Sequence, residues 1–430
     1  MCCLYLNMNK PQKISKALYL GKQVGITGSV QILVQLIGFL SGILLTRYLP
    51  LKEYAFYTLA NTFLGVMTIL ADSGVATGVL SEAGKVWRDK EKLGHVLATG
   101  IALRKRFALV SLLVSAPILF TLLLYNGASL LISLLICASI IPAFLAALSD
   151  NLLQIVPKLY KQILPLQQNQ FWVSFYRLLA SGIAAFLFPW AFAAVLAAGL
   201  PRIWGNFRLK SLTYLLVKKE EKVDPQVEKT IVQIVRRQMP MSIYFCLSSQ
   251  ISIWLVSIFG NTISLAQIGA LNRISIITTI FSSIIATLVL PKHAKLPAKR
   301  RPTALFFIKI FSVLVCTSAI LLLVVYLFPK PILFVLGENY QNLSWELFLS
   351  MLGASIGLVS QTLGSLSSSR GWVMEPILPI ILNIILIIIL IKLLNVSTLE
   401  GALWFKIGLT LFMFSRNFSF YLSRLFKLPN

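Results

Sequence analysis

The chain has 430 residues, of which 57% are hydrophobic and 12% charged, with a mean hydropathy of +0.82. A soluble domain of that size needs far more charge to cover its surface, so this composition excludes one. The net charge of +25 does not point to nucleic acid either, because the basic residues sit in short connections between apolar runs of bilayer-spanning length.

Taken in order, the apolar runs predict about twelve membrane helices, at 25–46, 54–74, 107–125, 128–149, 171–188, 190–205, 239–259, 265–290, 304–328, 345–367, 373–392 and 401–421. The first 24 residues are basic and lead into a full-length span with no small-residue cleavage site, which reads as an uncleaved lead-in rather than a signal peptide. With that lead-in inside, 30 Lys and Arg residues fall in cytoplasmic segments and 4 in outer loops. Such a bias orients the chain with both termini cytoplasmic.

The one long connection, 206–238, separates a first lobe (1–205) from a second (239–430), with six spans each. Two six-span lobes around a central cavity are an all-helical transporter architecture. A shift of 214 residues carries Tyr54–Tyr57 onto Ile268–Leu271, in each case the start of a lobe's second span. Outer loops are short, which leaves no room there for an active site. Cys2, Cys3, Cys137, Cys246 and Cys316 lack metal-ligand spacing, and His95 and His293 both lie in basic loops. No phosphate-binding GxxxxGK[ST] loop is present. These patterns predict no catalytic residue, metal or cofactor.

Polar residues inside the spans carry the functional reading. Tyr54, Thr58, Asn61, Gly65, Thr68 and Asp72 recur at alternating spacings of four and three, so they share one face of the second helix. Thr27, Gln31, Gln35, Gly38 and Gly42 form a similar stripe on the first. Lipid penalises such faces, so they turn toward other helices or a wet cavity. Arg273 lies near mid-membrane, where it needs an anion, a carboxylate such as Asp72, or water. Arg177 lies closer to the inner face and is open to a cavity or a snorkelling reading. Lys309 and Arg416 favour snorkelling, and Lys406, near the outer face, is open to either reading. Asp72 and Glu375 are candidates for coupling transport to an ion.

At LLTRYLPLKEYAFYTLANTFLGVMTILADSGV the chain resembles the polysaccharide branch of the multidrug/oligosaccharidyl-lipid/polysaccharide exporter superfamily. The matching residues are Thr46, Arg47, Leu49, Glu53, Tyr54, Tyr57, Ala71, Asp72 and Gly74, with Ala55 where the family usually has glycine. The resemblance implies an inner-membrane flippase for an undecaprenyl-diphosphate-linked oligosaccharide, such as an O-antigen repeat unit of lipopolysaccharide. On that reading Arg273, Arg177 and Arg47 meet the diphosphate, and Gln31, Gln35, Asn61 and Gln250 meet glycan hydroxyls. It leaves open whether a polysaccharide polymerase and a chain-length regulator act beside it. A multidrug antiporter of the same superfamily is the main alternative, though such cavities favour acidic residues. A lipid II flippase usually has two extra spans, and a membrane polymerase needs an outer loop that is missing here.

Overall fold

A computed structural model describes residues 10–160, 162–218, 222–294, 296–372, 374–375 and 377–429. Cys2, Cys3, Lys161, Lys219 and Lys295 lie outside the described residues, as do the side chains of 10–28, including Thr27. The described residues form helices and connections without strands. In order these are α1 (Lys10–Tyr48), α2 (Leu51–Asp72), α3 (Val75–Val86), α4 (Lys90–Tyr125), α5 (Leu130–Leu153), α6 (Ile155–Leu159), α7 (Ile163–Leu187) and α8 (Ala191–Tyr214). There follow α9 (Pro225–Ser249), α10 (Ile251–Phe259), α11 (Thr262–Ser275), α12 (Ile277–Leu288), α13 (Leu290–Ala294) and α14 (Arg300–Leu327). The chain ends with α15 (Pro329–Leu336), α16 (Ser344–Ser369), α17 (Ile377–Leu393) and α18 (Leu399–Phe426).

The expected spans fall on helical segments, with 239–259 divided between α9 and α10 and 265–290 among α11, α12 and α13. Eight helical stretches among the described residues are long and apolar enough to cross a membrane, with α5–α6 and α11–α12 each counted as one, and nine if the bent pair α9–α10 counts as one. The chain is a multi-pass membrane protein. Length and apolarity do not reach twelve, because α17 has 17 residues and both α8 and α18 carry several charges. The expected linker at 206–238 is narrower as a break, since α8 runs to Tyr214 and α9 starts at Pro225. Asp224 caps α9 by accepting from the backbone N–H groups of Gln226 and Val227, with proline at the first helical position.

The core forms around α2, which packs against α4, α5, α8, α9 and α11. Its apolar stretch is 67% buried, against 17% for α7 and α14 at the lipid-facing periphery. The charged residues at its start are structural in large part. Glu53 is buried, and its carboxylate accepts from the Ala191 N–H at 2.7 Å, which puts a negative charge on the N-terminus of α8. Arg47, at the end of α1, donates to the Phe334 carbonyl at 3.3 Å and lies 4.9 Å from the Phe334 ring centroid. It ties α1 to α15, a helix that sequence alone left as an outer loop. At its other end, α2 turns into α3 through Ser73 (φ 36°) and Gly74 (φ 100°). A Cβ on Gly74 would also lie 2.5 Å from Gln238 Oε1, so both backbone and packing require glycine there.

α2 and α11 cross at very short range, and these are the two helices that the 214-residue shift relates. A Cβ on Gly269 would sit 2.4 Å from Thr58 Oγ1 and 2.8 Å from its methyl carbon. Thr58 is β-branched and donates to the Tyr54 carbonyl at 2.9 Å, so it cannot swing clear. Gly269→Ala should therefore lower the melting temperature in detergent, at a cost of about 1–3 kcal/mol for overpacking. Adding Thr58→Ala should restore most of it, and a double variant no better than the single one would refute this account of the contact.

His293, in α13, is fully buried and joins two other helices, through Ser369 Oγ at 2.9 Å and Tyr421 Oη at 2.8 Å. Burial first, and then the Arg370 charge, push its imidazole down to about 4. The folded ring is therefore neutral between pH 6.5 and 4 while the unfolded ring is protonated, so stability falls as pH drops through that window. The melting temperature should decrease between pH 7 and 5, and His293→Gln should flatten that slope; an equal slope in both proteins would contradict it.

Candidate functional site

A cavity of about 580 Å³ lies inside the bundle, lined by α2, α9, α10, α11, α17 and α18. The α2 stripe supplies Thr58, Asn61, Thr62 and Gly65. The opposite wall is the junction of α9 and α10, where the axis bends by 52°. Ser248, Ser249, Gln250 and Ser252 line the cavity at that junction, so the irregular backbone faces polar space and not lipid. No glycine or proline occupies the bend itself, and sequence alone gave a continuous span there.

Arg273 projects from α11 into this cavity. Its Nε donates to Tyr54 Oη at 3.4 Å, and its guanidinium carbon lies 5.6 Å from the Tyr57 ring centroid. A Cβ on Gly42 would lie 3.1 Å from the Arg273 side chain, so α1 approaches along its small-residue edge. The guanidinium thus rests on aromatic faces and a phenol, with no carboxylate within ion-pair distance among the described residues. The alternative partner named from sequence, Asp72, is engaged elsewhere. Next to Arg273, Asn272 accepts from the Lys406 ammonium at 2.9 Å, which brings a second cation into the same cavity. Sequence position left Lys406 undecided, because its partner is 134 residues away. Two cations and no Asp or Glu line the cavity.

The other sequence candidates separate. Asn61 and Gln250 line the cavity. Gln35 donates instead to Ser283 Oγ at 2.7 Å, between α1 and α12, and Gln31 is exposed. Arg177 is partly buried on α7, outside the cavity lining, and its charge acts on Arg202. Arg202 in turn lies 3.8 Å from Asp150. Arg47 lies at the α1–α15 contact described above. Glu375 is exposed in the connection before α17, not within a span.

Asp72 accepts from the Ala76 N–H at 3.0 Å and lies 3.7 Å from Arg104 Nη2. Arg104 is only 1% exposed. It precedes the apolar run that starts at 107, but α4 begins at Lys90 and carries it into the bundle. None of its side-chain nitrogens has a hydrogen-bond partner among the described residues, so the Asp72 and Asp150 charges are its compensation.

The sequence pattern of a family described as polysaccharide biosynthesis protein matches residues 20–291. No curated protein sequence matches the chain. The fold is similar to that of an inward-facing multidrug resistance MATE family transporter of the MOP superfamily, with a TM-score of 0.73 and 13% identity, over 91% of this chain and 94% of that one. It is also similar to the lipid II flippase MurJ in an inward closed conformation, with a TM-score of 0.67 and 13% identity, over 93% and 90%. A MOP superfamily transporter from Pyrococcus furiosus with a binding pocket of reversed polarity aligns with a TM-score of 0.57 and 14% identity, over 94% and 95%.

The buried pair yields a thermodynamic cycle. Asp72→Asn strands the Arg104 charge, and Arg104→Met strands the carboxylate, so each variant should lose stability. Asp72→Asn with Arg104→Met should lose less than the sum by about 1–3 kcal/mol, read from thermal unfolding. Strict additivity would show that the two side chains do not interact.

Proposed function

The chain belongs to the polysaccharide biosynthesis protein family, and from that premise we propose that it is a flippase for a lipid-diphosphate-linked oligosaccharide, such as an O-antigen repeat unit. It works by alternating access in the bacterial inner membrane, with both termini in the cytoplasm. The observation that carries this reading is the central cavity, which offers two cations, several amides and hydroxyls, and no carboxylate.

The head group of such a lipid combines a diphosphate with neutral sugar hydroxyls, and its crossing is opposed by the loss of hydration of both. Arg273 and Lys406 replace water around the diphosphate. Arg273 is suited to bidentate phosphate contacts and Lys406 acts as a point charge. Asn61, Gln250 and the serines of the α9–α10 bend offer both donors and acceptors to sugar hydroxyls. The polyprenyl tail stays in the bilayer, so the cavity has to hold only the head. The two lobes, 1–205 and 239–430, rock about the α2–α11 crossing, whose contact residues Thr58 and Gly269 line the cavity. Arg177 and Arg202 meet the diphosphate first at the basic end, and Arg47 lies at the opposite end of the path. An ion coupled to the cycle acts through Asp72, whose protonation would leave Arg104 with the Asp150 charge alone. A multidrug antiporter for cationic compounds is the second reading, and an all-cationic cavity disfavours it.

In a strain lacking this protein, polymeric surface glycan should disappear and lipid-linked repeat units should accumulate on the inner leaflet. Wild type should restore the glycan. Arg273→Ala should not, although it inserts normally, and Lys406→Ala should restore it only in part. Unchanged surface glycan with altered drug sensitivity would overturn the proposal in favour of the antiporter.

A further inference from the structure

A second large cleft lies outside the central cavity. It has a volume of about 760 Å³, within the range of small-molecule sites, and it is formed by α4, α5 and α8. α4 and α8 each pack on α5, which forms the floor, with its buried residues Ala146 and Leu153. α5 and α8 meet tightly farther along, where a Cβ on Gly199 would lie 2.5 Å from that of Ala143. One end of the cleft is apolar. Ile141 and Leu145 (α5) and Phe207 (α8) line it and are exposed, as are Leu109 and Leu113 on the neighbouring surface of α4. That end opens onto hydrocarbon.

The other end carries Lys105 from α4 and Lys210 from α8, both exposed. Neither forms an ion pair among the described residues, and no carboxylate lines the cleft. The nearest acid in sequence on α5, Asp150, is held by Arg202 and by the Gln154 amide at 2.8 Å. Lys210 lies 6.0 Å from the Tyr214 ring centroid, an aromatic at the level of the ammonium groups. Two lysines that face one cleft from opposite walls repel each other unless an anion lies between them. Snorkelling alone explains each lysine separately, but not a shared acid-free cleft with a greasy extension.

We propose that this cleft binds one anionic phospholipid, with its phosphate between Lys105 and Lys210 and an acyl chain along Leu145, Ile141 and Phe207. Basic clefts between membrane helices recognise anionic head groups in this way. The site is separate from the central cavity and does not depend on the identity of the transported cargo.

The test uses the full-length protein in phosphatidylcholine vesicles with added phosphatidylglycerol, followed by native mass spectrometry of the released protein. Wild type should retain one phosphatidylglycerol in preference to phosphatidylcholine. Lys105→Gln with Lys210→Gln should reduce that preference roughly ten-fold or more, the weight of two lysines near an anionic head group. Lys105→Arg with Lys210→Arg should keep it, and so should Arg273→Ala, which places the lipid outside the central cavity. Equal melting temperatures in pure phosphatidylcholine would establish that the glutamine variant is folded. Undiminished preference in the glutamine variant would overturn the proposal. So would displacement of phosphatidylglycerol by stoichiometric polyprenyl phosphate, which would make the cleft a site for the cargo's lipid.

Discussion

The short-range crossing of α2 and α11 is the constraint on which the rest of the molecule depends. A glycine on one helix and a hydrogen-bonded threonine on the other let two backbones approach in a way that larger residues forbid. That approach places Tyr54 and Tyr57 under the Arg273 guanidinium, one turn from the contact. A charge at that depth is costly without compensation. Here the compensation is a phenol, an aromatic face and the polar cavity, all of which leave the positive charge available to a visiting anion.

Two styles of buried charge coexist in this bundle. Arg104 is enclosed beside carboxylates and is matched by the protein itself. Arg273 and Lys406 are matched only by neutral groups. A matched charge stabilises one arrangement of helices, whereas a charge matched only by neutral groups in a polar cavity stays open to an anion, as the proposed function requires. The difference lies in the company each cation keeps, not in its depth. Glu53 shows the same principle with opposite sign, because its carboxylate is engaged by the N-terminus of α8.

Much of this was legible in the sequence. Apolar runs located the spans, the 3.6-residue period put Thr58, Asn61 and Gly65 on the cavity wall, and depth alone singled out Arg273. What escaped was pairing across long separations. Arg104 looked like a loop cation because α4 begins at Lys90, well before the apolar run that starts at 107. Lys406 stayed open between two readings because nothing local reveals Asn272 as its partner. The bend at Gln250 has no glycine or proline to announce it, only a cluster of serines whose meaning depends on the cavity they face. Arg47 matched the family pattern, but its nearest contacts are to α15, a helix short enough to pass for a loop.

The placement of α2 also has a consequence for how the protein is made. The polar groups at its start find their partners late in the chain. Glu53 and the Ala191 N–H are 138 residues apart, Tyr54 and Arg273 are 219 apart, and Arg47 at its threshold reaches Phe334 after 287. During synthesis the second span therefore leaves the ribosome with Glu53 and Tyr54 unanswered, and it has to be sheltered until α8 and α11 arrive, with α15 later still for Arg47. The most buried of the first lobe's candidate spans is thus the one whose settling must wait for the second, which makes insertion of this bundle a matter of order as well as of hydrophobicity.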